Sequence, residues 1–105
     1  MDKRQTLTRD EAISLVRQYK QVISPRFDCE PKVFMFGSYS KGYANPDSDI
    51  DVAVIVPTYG DHKLDISQTL WHDVDKVSFL IEPVLIAEDR WCPLYDDVMR
   101  TGVAV

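Results

Sequence analysis

Apolar residues recur along this chain with two spacings, and the alternation between them marks out helices and strands in turn. From Thr8 to Ser24-Pro25 the spacing is helical, with Ala12, Ile13, Val16, Tyr19 and Ile23 on one stripe. Thr8 followed by Glu11 fits a capping box, and Ser24-Pro25 ends the element. Val33 to Phe36 is a continuous apolar run that reads as a buried strand and stops abruptly at Gly37-Ser38. From Asp49 to Val56 the period becomes two: Ile50, Val52, Val54 and Val56 share one face, and Asp49, Asp51, Ala53 and Ile55 share the other. A second helix is expected from Asp65 to about Val77, with Ile66, Leu70, Val74 and Val77 as its stripe and Trp71 beside it, assigned to core packing. Phe79 to Ala87 reads as a third strand. Asp96 to Arg100 predicts a short last helix closed by Gly102, and Val103 to Val105 an edge strand. Helices alternating with apolar strands imply an α/β layer architecture. With 105 residues there is room for one core, hence one domain spanning 1–105. No apolar run approaches a membrane span.

The chemistry lies in residues 37–56. Asp49 and Asp51 point the same way, with α-carbons about 6.5 Å apart at roughly 3.3 Å per residue. Two such carboxylates can converge on one or two hard divalent cations, magnesium being the natural candidate. They could equally be polar residues on the solvated face of a half-buried strand. Against that reading, aspartate is disfavoured in strands, and like charges on one face repel unless a cation separates them. Upstream, Gly37 lets the backbone turn sharply and approach a ligand, and Ser38 is expected to cap a short helical segment whose first N–H groups form an anion site. Lys41, one turn on, adds a cationic contact. Gly42 ends the segment, and Asn45-Pro46-Asp47 turns the chain into the aspartate strand. A Gly-Ser turn alone is ordinary turn chemistry; its weight comes from the aspartates that follow at this spacing.

Gly37, Ser38, Asp49, Ile50, Asp51 and Val52, with Gly42, Ala44, Ser48 and Val54, fill the pattern GSxxxGxAxxxSDxDxxV. This resembles the signature of the polymerase-β-like nucleotidyltransferase superfamily, and most closely its small branch of minimal nucleotidyltransferases. The resemblance implies a palm-type fold, a small mixed sheet packed by helices. It also implies transfer of a nucleoside monophosphate from a triphosphate, ATP by family default, with Asp49 and Asp51 binding two magnesium ions about 4 Å apart and Gly37, Ser38 and Lys41 binding the nucleotide phosphates. It requires a third carboxylate on a neighbouring strand, and Glu82, the one charged side chain in FLIEPVLIA, can supply it as metal ligand, proton acceptor or both. Pro83 lacks a ladder donor and belongs near a strand start or on an edge. Many relatives are encoded beside a helical HEPN-type partner, and in some such pairs they act as antitoxins by adding AMP to a tyrosine of it. That partner, or a second copy of this chain, would hold the acceptor.

Composition narrows the acceptor. The formal charge is −5, and the twelve Lys and Arg residues are scattered without a basic stripe. Non-specific nucleic-acid binding needs neutralised phosphates, so polymerisation and tRNA-end addition are demoted in favour of transfer to a protein or small-molecule hydroxyl. Two other classes stay open: modification of a small hydroxylated compound such as an antibiotic, and a non-catalytic module that masks its partner sterically. Cys29 and Cys92 are far apart and form no CxxC pair, which points to a reduced, cytoplasmic setting without excluding a disulfide. His62 and His72 have no ligand-like spacing to either cysteine and are read as loop and surface residues, and the Tyr59-Gly60-Asp61 turn is a candidate border of the nucleotide pocket.

Overall fold

A computed structural model describes residues 6–105. It contains α1 (Arg9–Ile23), β1 (Lys32–Phe36), the one-turn α2 (Ser38–Lys41), β2 (Ile50–Val56), α3 (Lys63–Val74), β3 (Ile81–Ala87), α4 (Pro93–Thr101) and β4 (Val103–Ala104), with a 3-10 turn over Ser24–Arg26. The strands form one mixed sheet in the order β3-β2-β1-β4, in which β1 runs antiparallel to both β2 and β4 while β2 and β3 are parallel. The α/β palm-type architecture expected from the sequence is therefore present.

The two faces of β2 have different fates. Ile50, Val52, Val54 and Val56 pack with Val33, Met35, Ile81 and Leu85 beneath Ala12, Val16, Tyr19 and Ile23 of α1 and Leu70 and Val74 of α3. On the opposite face Ala53 and Ile55 join Phe36, Ile86 and Val98 of α4 in a smaller cluster. The strand is thus apolar on both faces except where the aspartates stand. Tyr19 ties α1 to α3 by donating its hydroxyl to the Leu70 carbonyl at 2.6 Å. Pro83 is tolerated because β3 is an edge strand, where a missing N–H breaks no central ladder.

Several local expectations hold and others need correcting. The Thr8–Glu11 capping box is formed in both directions. The second helix begins at Lys63 and stops at Val74, with Val77 in the following turn; the last helix extends back to Pro93, a favoured first-turn residue. Trp71 is not core: it is exposed, whereas Asp73, two residues on and so on the opposite side of α3, is fully buried. Gly102 closes α4 without a left-handed φ (−72°); a Cβ there would lie 2.4 Å from the Val98 carbonyl oxygen. Cys29 and Cys92 are both free thiols. None of the helices is long and apolar enough to cross a membrane.

Candidate active site

β1 ends where β2 begins, so the turn leaving β1 lands against the first residues of β2. Phe36 is in register with Asp51, and Asp51 is in register with Glu82 on the other side. In-register neighbours project to the same face of a sheet, so Asp51 and Glu82 stand side by side. Asp49, just before the strand, reaches the same cluster and hydrogen-bonds with Glu82. Burial and the Asp49 charge push the Asp51 carboxyl above its usual range, with Lys41 partly opposing them. Glu82 is raised by burial first, then by the Asp49 hydrogen bond and the charges of Asp49 and Asp51. These like charges are held together at a cost in stability, which a bound cation would relieve.

Gly37 adopts φ 75° and ψ −147°, a region essentially closed to other residues. A Cβ built on it would lie 2.2 Å from Asp51 Oδ2. The turn backbone therefore runs directly against the carboxylate. Gly37, not Ser38, occupies the cap position of α2, and no side chain caps that first turn. Ser40 instead donates its hydroxyl to the Gly37 carbonyl at 3.0 Å. Gly42 ends α2 in the left-handed conformation (φ 86°), as its place in the motif required. The Asn45-Pro46-Asp47 turn is fixed by Asp47 N–H donating to Asn45 Oδ1 at 2.8 Å and Asn45 N–H donating to Ser48 Oγ at 3.0 Å. Lys41 lies on the site side of α2, its Nζ 3.4 Å from Asp97 Oδ2 of α4.

Among the described residues, no three histidine, cysteine or carboxylate side chains are set closely enough to hold a metal by themselves. The donors present are all oxygens, two or three carboxylates beside a turn that can receive phosphate. That set suits magnesium, which takes one or two carboxylates and completes its octahedron with water and phosphate oxygens.

The Tyr59-Gly60-Asp61 turn follows β2 beyond its far end at Val56, which is roughly 16 Å from Asp51 at 3.3 Å per residue. It lines a separate cavity of about 500 Å³ with Arg26, Phe27, His62 and Ile66. Both histidines are exposed. Sequence reading missed the buried Asp73, whose carboxylate accepts from Arg26 Nη2 at 2.8 Å and from Nε, and lies 3.0 Å from Lys76 Nζ. Only the sequence-local Lys76 could have hinted at it.

The pattern of the nucleotidyltransferase domain family matches residues 16–93, from the middle of α1 to the start of α4. The chain belongs to that family. This nucleotidyltransferase is 29% identical over 99 residues to a candidate protein adenylyltransferase of Methanocaldococcus jannaschii, covering 90% of the chain and 99% of the relative. Its fold is similar to that of a candidate nucleotidyltransferase from Sulfolobus solfataricus, with a TM-score of 0.67 at 16% identity over 91% of this chain and 80% of that one. A crystal structure of a mutant MntA–HpeT toxin–antitoxin is also similar, with a TM-score of 0.50 at 22% identity over 95% of this chain and 72% of that one. At such identities the two structures speak to fold alone.

Proposed function

We propose that this nucleotidyltransferase moves AMP from ATP to a hydroxyl of a partner protein, with Asp49 and Asp51 as magnesium ligands, Glu82 as proton acceptor and Gly37, Ser38 and Lys41 as the phosphate site. The observation that carries the reading is the contact of Gly37 with Asp51: a backbone turn able to receive phosphate, pressed against a carboxylate able to receive metal, joins the two halves of a metal–triphosphate site. Magnesium, when bound, neutralises charge on the phosphates and on the departing pyrophosphate. The N–H groups of the turn and the Lys41 ammonium orient the outer phosphates. Glu82 stands beside Asp51, where an acceptor hydroxyl meets the α-phosphate, and its raised proton affinity suits it to take the hydroxyl proton. In-line attack forms the bond from acceptor oxygen to α-phosphorus and breaks the bond to pyrophosphate.

A protein acceptor is favoured by the M. jannaschii relative, a candidate protein adenylyltransferase matched over 99% of its length. The resemblance of the motif in residues 37–54 to minimal nucleotidyltransferases suggests a HEPN-type helical partner, with this chain as the antitoxin.

Incubation with α-labelled ATP and magnesium, with and without the genomic neighbour, tests this reading. Label should appear on the partner and fall in Asp51→Asn by several kcal/mol of lost charge stabilisation, on the order of 10²–10³ in rate. Undiminished labelling in Asp51→Asn would remove the metal role of Asp51. Label that appears only on an added small hydroxylated compound would replace the protein acceptor.

A further inference from the structure

Lys41 Nζ and Asp97 Oδ2, 3.4 Å apart, link the turn after β1 to α4. We propose that Asp97 is a positioning residue for nucleotide binding: it holds the Lys41 ammonium beside the Gly37–Ser38 turn and away from the carboxylates. This rests on the reading of Lys41 as a phosphate contact.

The partners are carried on well-fixed elements. Lys41 closes α2, whose backbone is pinned by the Lys41 N–H to Gly37 carbonyl bond at 3.0 Å and the Gly42 N–H to Ser38 carbonyl bond at 3.0 Å. Asp97 precedes Val98, which is fully buried against the sheet. Asp97 also accepts, through its carbonyl, the Thr101 hydroxyl at 2.8 Å. The Gly102 N–H donates to the Val98 carbonyl at 2.8 Å, where the chain turns into β4. Neither Asp97 nor Lys41 is free to wander with a loose loop. Their side chains are 31% and 30% exposed, intermediate between a solvated pair and a buried one.

The electrostatics explain why a holder is needed. Asp51 stands among like charges and already feels Lys41 as its opposing cation. An unrestrained ammonium would be drawn onto Asp51 and would occupy the oxygens a divalent cation must use. Asp97 supplies a competing anion on the far element. An ammonium has three donors, so a contact to Asp97 leaves two for phosphate oxygens. A half-exposed ion pair is also weak enough to yield to a triphosphate of much higher charge. Lys41 is thereby oriented for the ligand without being consumed by the protein.

The test is calorimetric binding of magnesium tripolyphosphate, which carries the shared phosphates of every nucleotide and needs no acceptor. Lys41→Met should weaken binding about tenfold or more. Asp97→Asn should weaken it about three- to fivefold, as loss of a half-exposed pair implies, and Asp97→Glu should restore most of it. In the Lys41→Met background, Asp97→Asn should have no further effect. Unfolding midpoints of all variants show that the fold is kept. Equal binding by wild type and Asp97→Asn, or a loss that persists without Lys41, overturns the proposal. If that happens while transfer still disappears in Asp51→Asn, the nucleotidyl-transfer reading stands and only the role of Asp97 falls. A wild type that does not bind tripolyphosphate overturns both the role of Asp97 and the phosphate site.

Discussion

Gly37 shows how one residue can tie backbone geometry to chemistry. Its φ and ψ suit glycine alone, and the missing side chain leaves the space that Asp51 Oδ2 fills. Gly37→Ala is therefore expected to act twice. The strained backbone should cost about 1–3 kcal/mol, read as a lower unfolding midpoint. The Cβ must also push Asp51 aside, so transfer should fall far more than the fraction unfolded accounts for. Gly42 is the control: it too has a positive φ, but a Cβ there meets nothing within 4 Å. Gly42→Ala should share the stability loss and keep most of the activity. If both variants lose activity only in proportion to folding, the contact with Asp51 has no chemical role. The glycine, the serine and the aspartates were legible in the sequence because a fixed spacing advertises them. That Gly37 rather than Ser38 takes the cap position was not, since it depends on a backbone turn that bends toward a residue on another strand.

At the scale of elements, the strands were readable because each is a local apolar run: VFMF in β1, and IDVAVIV in β2, which is buried on both faces except at Asp51. The helix α3 was less readable. Its stripe of Ile66, Leu70 and Val74 was correct, yet Trp71 faces solvent while Asp73 is fully buried. The cause lies in Arg26, 47 residues away, which meets the Asp73 carboxylate with a fork of two donors while Lys76 adds a third. Burial would push the Asp73 carboxyl up, but these partners outweigh it and hold it below the ordinary range. No periodicity argument sees a partner at that distance. The pair joins the end of α1 to the end of α3, so its loss should loosen both helices together. Asp73→Ala or Arg26→Met should each lower the unfolding midpoint clearly, and the double variant should lose less than the sum, because Arg26→Met strands the fully buried Asp73 whereas Arg26, 40% exposed, can turn to solvent when Asp73 is lost. Lys32→Ala, which breaks an exposed pair with Glu88, should have little effect. Full additivity of the two buried-pair changes would show that the helices are held by apolar packing alone.

In the whole molecule, α1 and α3 seal one face of the sheet, while Val98 of α4 packs on the other with Phe36, Ala53, Ile55 and Ile86, and the Asp49, Asp51 and Glu82 end stays partly exposed. The partly buried site carboxylates and the fully buried Asp73 then oppose each other as pH changes. Asp51 and Glu82 hold protons more tightly folded than unfolded, so the stability they contribute is complete below their unfolded values of 3.8 and 4.5 and is lost as pH rises through the raised folded values. Asp73 has the reverse sign: its contribution is present above 3.8 and is lost as pH falls through its lowered folded value. In a chelator-containing buffer the unfolding midpoint should therefore decline more steeply in the wild type than in Asp51→Asn as pH rises from the unfolded values of 3.8 and 4.5 through the raised folded values. At the upper end the variant should be the more stable, read as a higher unfolding midpoint. Because the chain carries a formal charge of −5, removal of any negative charge relieves some repulsion, and Asp61→Asn on the exposed turn serves as the matched control. Magnesium tripolyphosphate should raise the wild-type midpoint and erase most of the difference from Asp51→Asn, since a bound cation supplies the neutralisation that the substitution mimics. Identical slopes for Asp51→Asn and Asp61→Asn would mean that the carboxylate cluster stores no specific repulsion, and the electrostatic reason for a cation at this end of the sheet would be lost.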